Sequence, residues 1–207
     1  MKRIAITLFM TSLLFAAKAQ FTFGPKAGLN ISELHFSSKS YTTGFRPYFY
    51  GGLFGNYEIN KNWAVQIEAL YAGEGGNEKY VAGDTKGHIN EGYLQVPLLA
   101  QFHTSMGFFA EAGPQVSFLL SIKETFGTSI SNDNIKQYYN TVHFRVPFGV
   151  GYAFPESSRV HGLGVNLRYA FDISKINKTE VGGQSLKNRT ISIGAFYKIP
   201  SMMKKKK

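Results

Sequence analysis

The sequence predicts an all-β protein, an eight-stranded antiparallel up-and-down transmembrane β-barrel. Three observations carry that prediction. Apolar and polar residues alternate with a period of two in eight separate segments, the period of a strand. The segments run to about nine to thirteen residues, the length a tilted strand needs to cross a bilayer core, whereas soluble strands average about five or six. The connections alternate between shorter and longer, as in barrels with tight turns at one membrane face and long loops at the other.

The segments follow in order. FTFGPKAGLNIS (21–32) sets Phe21, Phe23, Ala27, Leu29 and Ile31 against Thr22, Lys26 and Asn30, with Gly24 and Gly28 on the same polar face. YFYGGLFGNYEI (48–59) sets Leu53, Tyr57 and Ile59 against Asn56 and Glu58. WAVQIEALYAG (63–73) sets Trp63, Val65, Ile67, Ala69 and Tyr71 against Gln66 and Glu68. YLQVPLLAQF (93–102) sets Leu94, Val96, Leu98, Ala100 and Phe102 against Tyr93, Gln95 and Gln101. FFAEAGPQVSFLL (108–120) sets Ala110, Ala112, Val116 and Phe118 against Glu111, Gln115 and Ser117. VHFRVPFGVGY (142–152) sets its valines and phenylalanines against His143, Arg145, Gly149 and Gly151. LGVNLRYAFDI (163–173) opposes Asn166, Arg168 and Asp172 to Leu163, Val165, Leu167, Tyr169, Phe171 and Ile173. ISIGAFYKI (191–199) opposes Ser192, Gly194 and Lys198 to Ile191, Ile193, Ala195, Tyr197 and Ile199.

Short connections fall at 60–62, 103–107 and about 155–162, and long ones at about 32–47, 74–92, 121–141 and 174–190. An even strand number puts both barrel ends on the short-turn, periplasmic side. Glu74-Gly75-Gly76 reads as a strand leaving the membrane. Pro25, Pro97, Pro114 and Pro147 cannot donate to a ladder and are expected at bulges or rims. Tyr41, Phe45, Tyr48, Phe49 and Tyr50 are expected as an aromatic girdle at the outer end of the second strand.

The ends of the chain read differently. Lys2 and Arg3 precede an apolar run from Ile4 to Ala17, and Ala17-Lys18-Ala19 forms a small-x-small cleavage site. This is a secretory signal peptide over 1–19; an uncleaved anchor needs roughly 18 or more apolar residues. The barrel occupies 20–200 and a basic tail 201–207. The formal charge of +10 is carried largely by these ends. Three of the ten excess charges are Lys2, Arg3 and Lys18 and four are the terminal lysines, which leaves the barrel near +3. That excludes a nucleic-acid binder, which concentrates its excess on one face. With no cysteine, the chain has no lipoprotein site, disulfide, thiolate nucleophile or cysteine metal site.

The stretch FGPKAGLNIS resembles the opening strand of the Bacteroidota outer-membrane β-barrel family known as PorT-like, whose G-x-K-x-G-x-N pattern matches Gly24, Lys26, Gly28 and Asn30. YLQVPLL (93–99) resembles that family's Y-L-x-x-P-L-L strand, and SIGAFYKI its closing strand. The resemblance spans the mature chain and is most specific in the middle segment. It implies a barrel in the outer membrane, and one member is tied to protein secretion; it implies no single activity. The PSMMKKKK extension departs from barrels that end on an aromatic residue, which bears on Phe196 or Tyr197 as an insertion signal.

Function is sought on the inner face. The alternation places Lys26, Arg145, Arg168 and Lys198 in the lumen with Glu58, Glu68, Glu111 and Asp172, four cations against four anions. An eight-stranded barrel is just wide enough for side chains to fill, and buried charges persist when paired. The expectation is a plugged lumen crossed by a polar network that Gln66, Gln95, Gln101, Gln115 and Asn166 join. No catalytic residue, cofactor site or metal site is expected: the five histidines are scattered without ligand spacing. The expected function is a non-enzymatic outer-membrane barrel contacting lipid, with an envelope protein partner at its long loops and no need to oligomerise. The alternatives are a small solute channel, a soluble lipocalin-like carrier, and a lipid-acting enzyme using Ser117 with His143.

Overall fold

A computed structural model describes residues 21–36, 41–80, 86–126, 129–132, 134–178 and 185–199. The expected leader and basic tail lie outside the described residues. Eleven strands form one antiparallel sheet: β1 (Phe21–Phe36), β2 (Tyr41–Gly44), β3 (Arg46–Glu58), β4 (Trp63–Tyr80), β5 (Lys86–His103), β6 (Phe108–Ala112), β7 (Gln115–Phe126), β8 (Ser129–Asn132), β9 (Val142–Ala153), β10 (Leu163–Asp172) and β11 (Leu186–Tyr197). Each of the main strands pairs with its neighbours in sequence, and β1 pairs with β11, which closes the sheet on itself. The ring has eight staves, because β6 and β7 are two halves of one, while β2 and β8 are short outer additions to β4 and β7.

The faces are those the alternation dictates. Leu53 is 63 % exposed and Leu167 is 49 % exposed, while Lys26, Glu68 and Arg168 are buried inside. Along β4 the outward residues from Trp63 to Tyr71 span roughly 20 Å of membrane normal, from a rise of about 3.3 Å per residue and a tilt near 40°. Trp63 and Phe102 meet edge to face at 5.1 Å at its inner end, an aromatic girdle at a lipid boundary. Inside-out polarity of this kind costs a water-soluble protein its hydrophobic driving force and suits a bilayer.

Three of the four prolines explain one irregularity. Their site is the middle of the wall, where a rim position was also in prospect. Pro97 lacks the N–H that would continue the ladder, and pairing of β4 with β5 skips Glu68 and Ala69 opposite it. At the same height Gly113 and Pro114 divide β6 from β7, and Pro147 lies between the β9 residues that pair with each half. The wall stays closed there: Leu98 N–H donates to Pro114 O at 2.9 Å and Gly113 N–H to Pro147 O at 3.2 Å. A separate bulge shifts the β5–β7 register at Gly92/Tyr93.

The long connections are shorter than the sequence suggests. β4 runs on to Tyr80 and β5 begins at Lys86, so most of 74–92 is a ladder standing above the membrane belt. The stretch 121–141 contains the end of β7, the β8 hairpin and a short 3₁₀ turn, Asn134–Tyr138. In this outer part the interior turns apolar. Leu34, Ile89, Tyr93, Leu119, Ile122, Ile176 and Leu186 pack as one cluster, with Ile135 and Tyr139 against it. At the end that carries the short turns Phe54, Phe109 and Phe196 form a second cluster, with ring centroids 5.7 and 6.0 Å apart. Glycine makes room for it: a Cβ on Gly164 would collide with the Phe196 ring and one on Gly151 with Phe109. The expected girdle divides by parity, since Phe49 is 80 % exposed whereas Tyr50 is buried inside.

Candidate functional site

Between the two apolar clusters the lumen holds two layers of charge. The inner layer is built from staves on opposite sides of the ring. Arg168 on β10 reaches across to Glu68 on β4, with Nη1 donating to Oε2 at 2.8 Å and Nη2 to Oε1 at 3.0 Å. The same guanidinium donates to Glu111 on β6 from Nη2 at 2.7 Å and Nε at 3.0 Å. Lys26 on β1 donates to Glu68 Oε1 at 2.9 Å. Two cations thus balance two carboxylates, all buried. Gln66 donates to Glu68 at 2.6 Å and Gln101 to Glu111 at 2.9 Å. Asn56 joins the two glutamines, at 3.1 and 2.7 Å. Fork-shaped, charge-assisted bonds of this type fix geometry strongly.

The outer layer centres on Arg145 of β9. Its Nη1 donates to Glu74, its Nη2 to Thr190 Oγ1 at 3.0 Å, and its Nε lies 2.7 Å from Asp172 Oδ1, an ion pair outside hydrogen-bond angles. Gln95 donates to Glu74 at 2.8 Å, and the Asn188 amide N–H to Asp172 Oδ2 at 2.7 Å. Asn188 Nδ2 also holds Glu91 Oε2 at 2.7 Å. Glu74 and Glu91 face each other directly in the β4–β5 ladder. Buried Tyr50, Leu70 and Ala72 pack between the layers, beside a cavity of about 10 Å³, room for about one water.

Of the eight residues read from the sequence as lumen charges, Lys26, Glu68, Glu111 and Arg168 meet in the inner layer and Arg145 and Asp172 in the outer one. Glu58 and Lys198 join neither. Glu58 is exposed and Lys198 half-buried, because both lie where β3 and β11 end and the wall no longer encloses them. Burial draws the Lys198 ammonium below its ordinary value, an effect the Glu58 carboxylate opposes. Asn166 is buried beside the network without a hydrogen bond to it, and Gln115 donates to Ser117 at 3.0 Å. Glu74 and Glu91 were missed as lumen residues. The signal was available, since the parity of Gln66 and Glu68 continues through Leu70 and Ala72 to Glu74.

Ser117 and His143 are register partners on β7 and β9, and both are buried. Ser117 accepts from Gln115, His143 Nε2 donates to Asn140 O at 2.7 Å, and His143 Nδ1 makes no hydrogen bond, so the hydroxyl and the imidazole are not hydrogen-bonded to each other. Among the described residues no group of three or more His, Asp or Glu side chains forms a metal cluster. The arrangement ties staves together across the bore.

Comparison with known proteins agrees with this architecture. Residues 15–178 match the family model described as outer membrane protein beta-barrel domain. Neisserial surface protein A is similar at a TM-score of 0.51 and 16 % identity, over 86 % of this chain and 97 % of that one; at that identity the likeness is one of fold. Ail, the attachment invasion locus protein of Yersinia pestis, aligns at 0.48 and 13 % over 87 % of this chain and 99 % of its own. OprG from Pseudomonas aeruginosa aligns at 0.44 and 15 % over 87 % and 96 %. None of the curated proteins compared matches the chain.

Proposed function

The chain belongs to the outer membrane protein β-barrel domain family and resides in the outer membrane, and from that premise we propose that it acts as a closed, non-conducting, non-enzymatic envelope component. In this reading segment 1–19 is the export signal, and the wall serves to hold a rigid outer extension for docking an envelope partner. One observation carries the proposal: Arg168 spans the bore to Glu68 and Glu111, with apolar clusters above and below. A solute would have to break buried, forked ion pairs to pass, and losing one partner of such a pair costs about 3–5 kcal/mol.

The docking surface is the outer extension. β4 and β5, each 18 residues long, stand well beyond the apolar belt, braced by β2 and by the β7–β8 hairpin. Rigid scaffolds presenting outer segments are the usual home of recognition. Within the family, the Gly24-Lys26-Gly28-Asn30 opening and the 93–99 stretch support a PorT-like member of Bacteroidota type. On that basis the partner is a component of envelope protein secretion. Photo-crosslinkers placed at exposed Lys123 and half-exposed Arg46 in the native host test the reading. A defined envelope protein captured from these positions, and not from Lys61 in the periplasmic turn, is the expected result. Capture that is equal at all three positions would reject an outer docking surface.

A further inference from the structure

The outward face of β1, β11 and β10 carries a feature that neither the plugged lumen nor partner docking uses. A cleft of about 240 Å³ opens there, lined by His35, Lys187 and Arg189 together with Tyr169 and Phe171. The register sets His35 opposite Lys187 and Arg189 opposite Phe171, so these residues share one patch of the outer wall. Asn188 and Asp172 form its back, but their side chains are committed inward to Glu91 and Arg145. Glu33 faces Arg189 from β1, lies outside the cleft, and accepts a hydrogen bond from Thr43 at 2.8 Å.

Height decides what this cleft meets. Arg189 and Lys187 lie eight and ten residues along β11 from Tyr197, on the same outward parity. At about 3.3 Å per residue and a tilt near 40° they stand roughly 20–25 Å above Tyr197. That is the upper edge of an apolar band about 25 Å tall. Below them are apolar Ile191 and Ile193, with Tyr169 beside Ile191 and Phe171 beside Arg189, aromatic residues of the kind that form the girdle at a barrel's lipid boundary. Two basic side chains at that level, flanked by rings that pack on acyl chains, match a phosphate ester attached to a lipid.

We propose that this cleft is a binding site for the phosphorylated headgroup of an outer-leaflet lipid, with Arg189 and Lys187 holding the phosphate and Tyr169 and Phe171 contacting the proximal acyl chain. Arginine presents paired donors to phosphate and lysine a point charge. His35 adds a donor at the rim. The site depends on the outer-membrane location and is independent of whether the lumen conducts or a protein docks.

Native mass spectrometry of the full folded chain in detergent, titrated with diphosphorylated lipid A, tests this directly. The wild type is expected to retain lipid A, and K187E/R189E to bind it at least about tenfold more weakly. The K187Q/R189Q variant gives an intermediate loss and guards against misfolding, which a heat-modifiable gel band monitors in each case. Lys61→Glu, at the periplasmic turn, leaves binding unchanged. Lipid A stripped of both phosphates should bind the wild type no better than it binds K187E/R189E. Equal lipid A affinity in the folded variants, or equal affinity for the phosphate-free lipid, would overturn the site. So would displacement of lipid A by equimolar inorganic phosphate, which would mark a free-anion site.

Discussion

Removing Arg168 is the sharpest perturbation of the lumen. The guanidinium makes four hydrogen bonds to two buried carboxylates, between 2.7 and 3.0 Å. Arg168→Ala leaves Glu68 and Glu111 facing Lys26 alone, with one excess negative charge enclosed in the barrel. Summing four charge-assisted bonds at about 1.5–3 kcal/mol each would overstate the loss, because the four share one guanidinium and two carboxylates and so are not additive. Stranding one partner of a buried pair is the better guide, and it costs about 3–5 kcal/mol. Urea unfolding in lipid vesicles, read by the heat-modifiable gel shift and by fluorescence of the single tryptophan, Trp63, measures it. Arg168→Met combined with Glu111→Gln restores balance, leaving Lys26 and Glu68 as a one-to-one pair, and is expected to recover most of the stability. A loss below about 1 kcal/mol in Arg168→Ala would refute the reasoning. So would a double variant no more stable than the single one, since coupled sites must be non-additive.

Leu167 sits outward near the middle of the belt, paired with Ile193 and Val150. Leu167→Arg is expected to destabilise the protein in vesicles by about 2–4 kcal/mol, whereas a water-facing site would tolerate it; urea midpoints in bilayers decide. Gly164→Val drives a side chain into the Phe196 ring, so a loss of about 1–3 kcal/mol is expected from overpacking. Pairing it with Phe196→Ala should return part of that loss, and the same unfolding curves check both.

The barrel was legible because alternation specifies a face. On β10 every second residue from Gly164 to Asp172 is buried and most of the others are exposed, as the sequence order alone indicates. Alternation carries no information on height. Glu58 and Lys198 have lumen parity like Glu68, yet the staves stop beside them and water reaches them. Above the membrane the chemistry of the inner face inverts, from Glu, Gln and Arg to Leu34, Ile89, Ile122 and Leu186. The period-two alternation fades there, so the ladder from Glu74 to Tyr80 fell within the long connection 74–92, with Glu74-Gly75-Gly76 read as a strand leaving the membrane, and Glu74 and Glu91 went with it. The division of β6 from β7 was signalled by Gly113-Pro114, but the alignment of Pro97 and Pro147 with it needs the register of three staves.

Single-channel recording in planar lipid bilayers tests the closed lumen most directly. The folded wild type, inserted as a heat-modifiable barrel, should give no reproducible conductance steps at moderate voltage, because both charge layers and both apolar clusters block the bore. Discrete, reproducible openings by the wild-type protein, at salt concentrations that leave the barrel folded, would contradict the account and make the protein a small channel.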